Sequence, residues 1–282
     1  MRLIVQLGYS GFGDRMRVLC SCIHYARLLD TKVLPVWNDE HWEDGFDNYF
    51  SLDTGLAWDG DLPYSVYPEE YAGADPFALK ITSAQRNHLL KDTVLPDSMP
   101  GKDVFILSRY NMKPGSYETG LAGITPDMRL KGMFHGLRKL LPDQYVCIHV
   151  RNTDKRDTVW KERLSELKAD AGGAGVVITD SLEVKQAALD AGLLCLSSLP
   201  EIKPVRGVHH IKDSELQRHG FSRRKVNEGL IMDVVTAGMA DEFRPFVTGE
   251  ATLPGHSTSR FSNMIEAGRK YGWFRKHFGG DR

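Results

Sequence analysis

At 282 residues the chain can form one large α/β unit or two medium domains, and 41% hydrophobic residues are enough to bury a core. Its 36 basic and 37 acidic residues leave a formal net charge of -1. No global field therefore draws it to nucleic acid or an anionic membrane surface, and any cationic site has to be local. The four cysteines, Cys20, Cys22, Cys147 and Cys195, sit in apolar stretches without a second pair at zinc-binding spacing, so they read as buried free thiols of a reducing compartment.

The first element is an apolar strand at residues 3–7, too short for a signal sequence, and no run approaches the ~20 apolar residues of a membrane span. A glycine turn follows (Gly8, Gly11, Gly13). A helix then opens near Asp14 with Met16, Leu19, Ile23 and Ala26 at three- and four-residue spacing, and a second strand covers residues 33–37. Strand, helix, strand within about forty residues predicts a βαβ unit and a parallel sheet. Residues 38–100 are rich in aromatics and turn formers. The aromatics between Trp37 and Tyr71 line an acceptor groove on one reading and form a satellite core on the other. A strand at 104–107, a glycine- and proline-punctuated loop at 113–123 and a helix at 128–141 complete the first half.

The second half repeats the alternation. Strands are expected at residues 145–150, 176–179, 193–196 and 243–247, and helices at 159–169 and 182–191. A long helix capped by Ser222 runs to about Ala240, and a last helix covers 261–271. The expected architecture is α/β, with two facing Rossmann-like domains at 1–141 and 142–282, parallel sheets and a cleft between them. Ligands of such sheets bind beyond the carboxyl ends of the strands.

Chemistry-bearing residues cluster at those places. Gly11-Phe12-Gly13-Asp14-Arg15 follows the first strand and opens a helix, where close backbone approach and unpaired N–H groups suit an anion; a tight turn that needs its glycines reads equally well. His149-Val150-Arg151-Asn152-Thr153-Asp154-Lys155-Arg156-Asp157 crowds polar groups onto a strand end, with His149 and Arg151 on one face. An arginine there can grip a diphosphate and counter charge on a leaving phosphate, with Asp154 orienting it and Lys155 adding positive potential. Ser257, Thr258 and Ser259 precede the last helix and can supply donors to phosphate or simply cap that helix. Asp233 interrupts an apolar helical run. A carboxylate can accept from N1 and N2 of guanine, although an exposed or capping carboxylate fits the pattern as well. Asp59-Gly60-Asp61 spells the D-x-D of metal-using transferases but lies in a turn-like stretch, and reads as a solvated loop.

Taken in order, these segments resemble the superfamily of α1,2-, α1,6- and protein O-fucosyltransferases, nearest the nodulation-type α1,6 enzymes. His149-Val150-Arg151-Asn152-Thr153-Asp154-Lys155 is similar to their H-x-R-R-T-D-K strand end, and Gly11-Phe12-Gly13-Asp14-Arg15 to their G-x-G-N-R/Q opening. Val36-Trp37 resembles their Val-x-Trp strand and Val177-Ile178-Thr179-Asp180 their Ala-Thr-Asp strand end. Residues 228–233 resemble their guanine-reading helix, and Ser257-Thr258-Ser259-Arg260-Phe261-Ser262 their Ser-Ser-x-Phe-Ser loop. Asn152 stands where the family has a second arginine, and Asp14 where it has asparagine.

The resemblance implies a GT-B fold, with an acceptor side in residues 1–141 and a nucleotide-sugar donor side in residues 142–282. It implies an inverting transfer of fucose from GDP-fucose to a glycan or other hydroxyl acceptor, with no metal and no cofactor beyond the donor substrate. Arg151 would hold the β-phosphate, with His149 by the ribose or diphosphate. Asp233 would read guanine, while Ser257, Thr258, Ser259 and the Gly11–Gly13 turn would line the donor. Asp14, Asp154 and Asp157 are candidate general bases, and Asp180 is a further site candidate. Alternatives are another GDP- or UDP-sugar as donor, or a nucleotide- or glycan-binding protein without turnover. A soluble cytoplasmic enzyme of bacterial or viral type is expected.

Overall fold

Strand β1 (Leu3–Leu7) is buried along its whole length, because it runs between two parallel neighbours. The computed structural model describes residues 3–8, 11–39, 42–56, 61–62, 65–67, 69–79, 103–107, 115–152, 159–199, 211–245 and 259–280. The chain divides into two compact units, Met1–Asp127 and Met128–Arg282.

In the first unit α1 (Phe12–Leu28) connects β1 to β2 (Lys32–Val36), the expected βαβ crossover. Together with β4 (Val66–Tyr67) and β5 (Val104–Leu107) they form a parallel sheet in the order β2-β1-β5-β4. A separate antiparallel pair joins β3 (Phe50–Leu52) to β6 (Ile124–Pro126). One sheet face carries Leu3, Val5, Leu7, Leu34, Val36, Val104 and Ile106 as a continuous core.

The loop expected at 113–123 contains a helix instead, α2 (Ser116–Ala122). Its three flanking and internal glycines hide it from a propensity reading, yet one of them makes the packing. A Cβ on Gly120 would lie 2.3 Å from Cys20 Cα, so α1 and α2 meet backbone to backbone. Cys20 and Cys22 are buried free thiols whose pKa burial pushes well up, as read from the sequence. The aromatics beyond Trp37 form a satellite core. Phe12 stacks on Trp42 at 5.7 Å and meets Trp37 edge-on at 6.2 Å, while Trp37 meets Phe46 at 5.0 Å.

In the second unit β7 (Val146–Val150) is central, flanked in parallel by β8 (Gly175–Thr179) and β9 (Glu242–Arg244). Helices α3 (Met128–Arg138), α4 (Trp160–Ala171), α5 (Leu182–Asp190) and α6 (Asp213–Arg218) precede the long α7 (Arg223–Met239). Ser222 caps α7, its hydroxyl accepting from Lys225 N at 3.2 Å. The strand expected at 193–196 reduces to a single parallel bridge, Leu194 to Val176, and that expected at 243–247 ends at Arg244, with Pro245 outside it and 246–247 outside the described residues. Beyond α8 (Arg260–Lys270), Gly272 turns the chain at φ 70° into a further short helix, α9 (Trp273–Phe278). Phe274 of α9 drives its ring between Gly238 of α7 and Gly268 of α8, where added Cβ atoms would come within 2.4 and 2.3 Å of it. Both units are therefore α/β with parallel sheets, as expected.

Candidate functional site

Strand β7 ends in the second unit at Val150, and the next two residues carry the chemistry. Arg151 Nε lies 3.7 Å from Asp180 Oδ2, with about a fifth of each side chain exposed, 20% and 23%. Asn152 N donates to Asp180 Oδ1 at 3.0 Å. Asp180 follows β8, so a carboxylate from one strand end holds the backbone and guanidinium that leave the next. Parallel pairing in register, His149 opposite Ile178 and Val150 opposite Thr179, brings the two ends level.

One residue back, His149 is buried, 6% exposed, and its ring tilts against Phe261 at 4.8 Å between centroids. Its Nδ1 lies 3.0 Å from Ser262 Oγ in the first turn of α8. Ser259 caps α8: its hydroxyl accepts from Ser262 N and donates to Ser262 Oγ, each at 3.1 Å. Burial first, then the charges of Arg151 and Arg163, push the His149 pKa down to about 3, so the ring is neutral. A strand end bearing an arginine is thus joined to a helix N-terminus, whose partial positive charge favours an anion.

Asp233 lies half-buried on α7 rather than exposed or capping. Gly229, one turn earlier on the same face, lets α7 press against Ser198, since a Cβ there would meet Ser198 Cβ at 2.8 Å. Burial raises the Asp233 pKa to about 7. A hydrogen bond from Ser197 and the charge of Lys185 pull it down, and Asp180 pushes it up. Ser197 is itself fixed: its Oγ accepts from Thr179 N at 3.1 Å, and Lys185 Nζ donates to its carbonyl at 2.6 Å.

Second-unit folding therefore brings together His149, Arg151, Asp180, Asp233 and Ser259 around the carboxyl ends of β7 and β8. Asp154, Lys155, Asp157, Ser257 and Thr258 lie outside the described residues, as do Asp59 and Gly60 of the Asp59-Gly60-Asp61 turn, whose Asp61 is exposed. Gly11, Phe12, Gly13 and Asp14 belong to the first unit. Gly11 is the N-cap of α1 with open space at its Cβ position, Asp14 is half-buried in the first turn, and the Phe12 side chain is committed to the aromatic core. Arg15, quoted only as part of the glycine motif, is fully buried. It makes two hydrogen bonds to Asp39, at 2.5 and 2.8 Å, and packs its guanidinium 5.7 Å from the Trp37 ring and 5.4 Å from Trp42. A Cβ on Gly8 would strike Arg15 Nη1, so the glycine after β1 makes room for this ion pair.

Ser197, Lys185, Arg163 and Ser262 were not singled out as site residues. Ser262 belongs to a quoted motif, but nothing in the pattern around Ser197, Lys185 or Arg163 marks them. Among the described residues no group of three or more His, Cys, Asp or Glu side chains could hold a metal ion, and no helix is long and apolar enough to cross a membrane.

No protein-family model matches the chain, and no curated protein does. Solved structures do. NodZ α-1,6-fucosyltransferase soaked with GDP-fucose is similar at TM-score 0.59 and 13% identity, over 94% of this chain and 92% of that one. Fucosyltransferase NodZ from Bradyrhizobium is similar at TM-score 0.56 and 13% identity, over 94% and 91%. A variant of Arabidopsis thaliana FUT1 in complex with GDP is similar at TM-score 0.51 and 13% identity, over 95% of this chain and 69% of that one. At such identity the likeness is one of fold, and that fold is the GT-B class of these fucosyltransferases.

Proposed function

We propose that this chain is an inverting, metal-independent fucosyltransferase that moves fucose from GDP-fucose to a hydroxyl of a glycan or other acceptor. One observation carries the reading: Arg151, tethered by Asp180 at the carboxyl end of β7, stands next to a neutral His149 bonded into the N-terminus of α8. This is an anion site at the place where parallel α/β sheets take their ligands. The fold likeness to NodZ, crystals of which were soaked with GDP-fucose, supports the donor.

In this reading residues 142–282 take the donor and residues 1–141 the acceptor. Asp233 accepts from guanine N1 and N2, and Arg151 grips the β-phosphate. The acceptor oxygen attacks the anomeric carbon from the face opposite the diphosphate. As the C–O bond to the β-phosphate breaks, negative charge grows on GDP and Arg151 stabilises it, supplying the charge a divalent ion otherwise brings. The acceptor proton passes to a carboxylate, for which Asp14, Asp154 and Asp157 are the candidates. Asn152 leaves the site one arginine short of the resembled pattern, and this favours a second reading with a different sugar on the same nucleotide.

Calorimetric titration with GDP, UDP and ADP in EDTA tests the core of the proposal. GDP should bind preferentially and lose affinity in Arg151→Ala and Asp233→Ala. Equal affinity for the three nucleotides would remove the guanine-reading role of Asp233. GDP binding without transfer or donor hydrolysis would leave a binding protein.

A further inference from the structure

Ser197 is fully buried, and the chemistry of its partners fixes the direction of its hydroxyl. Its Oγ lies 3.1 Å from Thr179 N at the end of β8, and a backbone N–H can only donate, so this contact occupies a lone pair of the hydroxyl. A side-chain hydrogen bond also links Ser197 to Asp233, and an ionised carboxylate can only accept. The order is therefore Thr179 N–H to Ser197 O–H to the Asp233 carboxylate, each link polarising the next. The backbone beneath this relay is clamped from two helices. Lys185 Nζ on α5 donates to the Ser197 carbonyl at 2.6 Å, and Gly229, one turn before Asp233 on α7, lets Ser198 press against that helix.

We infer that Ser197 is a positioning residue of the nucleotide site, holding the Asp233 carboxylate charged and fixed in direction so that it can accept from two ring donors of a purine base. The base in this statement rests on the guanine reading above; the relay from Thr179 through Ser197 to Asp233 does not. Burial on α7 pushes Asp233 towards the protonated form, and a carboxylic acid would set its own proton against the donors of guanine. The charged groups that act on Asp233 are Lys185 from α5, which favours the carboxylate, and Asp180 beyond β8, which opposes it. Cys147 of β7 and Cys195 also face it. Burial pushes both thiols up, Cys195 to about 11, so both are neutral where Asp233 titrates. Lys185 and Asp180 act through charge, whereas Ser197 acts through a directed hydrogen bond, and only a directed contact fixes the orientation of a carboxylate.

Carbon NMR of the nucleotide-free protein with labelled aspartates follows the Asp233 carboxyl, assigned by its loss in Asp233→Asn. Ser197→Ala should move its titration midpoint up by roughly one pH unit, and Ser197→Thr, which keeps the hydroxyl, should restore it. In calorimetry Ser197→Ala should bind GDP roughly tenfold more weakly than the wild type at pH 7, with a smaller loss at pH 9 where the carboxylate re-forms. An unmoved midpoint in Ser197→Ala overturns the inference. So does a loss of affinity equal at the two pH values, which is what a merely structural role would give. If Ser197→Ala does not fold, the Thr179 amide of the wild type decides: its resonance should titrate with the Asp233 midpoint and become flat in Asp233→Asn, and a flat wild-type amide overturns the relay. Absence of a GDP preference in the wild type would sink the guanine reading and leave the Asp233 titration to judge Ser197 by itself.

Discussion

Each unit carries an arginine paired with an aspartate near the end of its parallel strands, and the two pairs are built differently. Arg15 and Asp39 are closed into the aromatic core, with two short hydrogen bonds and no exposed surface on the arginine. Arg151 and Asp180 are looser, 3.7 Å apart, and each keeps about a fifth of its surface (20% and 23%). A guanidinium sealed between tryptophans holds a fold together, whereas one that keeps part of its surface exposed can meet an incoming anion. Arg15 lies in the first turn of α1 and Arg151 directly follows β7, and burial is what separates the two most sharply.

Substitution of each arginine sharpens that difference most. Arg15→Ala removes both hydrogen bonds to the Asp39 carboxylate at the rim of an aromatic cluster and should cost about 3–5 kcal/mol, read by denaturant or thermal unfolding. Arg151→Ala should leave the unfolding midpoint nearly unchanged and reduce fucosyl transfer by about 100-fold or more in a turnover assay. If Arg15→Ala is as stable as the wild type, or Arg151→Ala turns over within a few-fold of it, the contrast between a structural and a ligand-facing arginine fails.

The pH response of Asp233 is the next largest effect. Its pKa is raised from an ordinary 3.8 to about 7, chiefly by burial, with Ser197 and Lys185 opposing and Asp180 reinforcing. If Asp233 reads guanine as proposed, it does so as the carboxylate, and GDP affinity should fall about tenfold per unit of pH below that value, followed by calorimetry. The sign for stability is opposite. The folded state holds this proton more tightly than the unfolded chain, so the group's contribution is greatest below pH 3.8 and is lost as pH rises through 7. Asp233→Asn should flatten both dependences.

Smaller again is the cost of filling the space at Gly120. Gly120→Ala pushes a methyl against the Cys20 backbone and should destabilise by about 1–3 kcal/mol, while Gly11→Ala, where nothing lies within 4 Å, should be close to neutral. Thermal melts of the two side by side would test whether α1 and α2 depend on that contact. The smallest effect expected is a rise of less than about one unit in the His149 pKa on Arg163→Gln, read by histidine NMR.

Much of the second-unit site was legible in advance, and for a local reason. The run from His149 to Asp157 places polar groups where an apolar strand stops, and such a boundary is visible in a few residues of chain. Asp180 was visible in the same way. What joins them was not. Asp154 was the expected partner of Arg151, yet Asp180 is the carboxylate that the described residues place beside it, because two strand ends far apart in sequence come level in the sheet. Ser197 acts on Asp233 through a hydrogen bond, and Lys185 and Arg163 act on Asp233 and His149 through their charge, none of which any spacing encodes.

The alternation of apolar strands and amphipathic helices, the βαβ opening, the Ser222 cap and the fate of the cysteines all follow from local sequence, since periodicity and burial of apolar runs act over a few residues. Tertiary packing alone decided the helices at Ser116–Ala122 and Trp273–Phe278, which exist because glycines admit a neighbouring backbone or the Phe274 ring. Packing alone also decided which arginine is sealed and which keeps exposed surface, since desolvation and charge pairing depend on everything that surrounds a side chain and not on its neighbours in the chain.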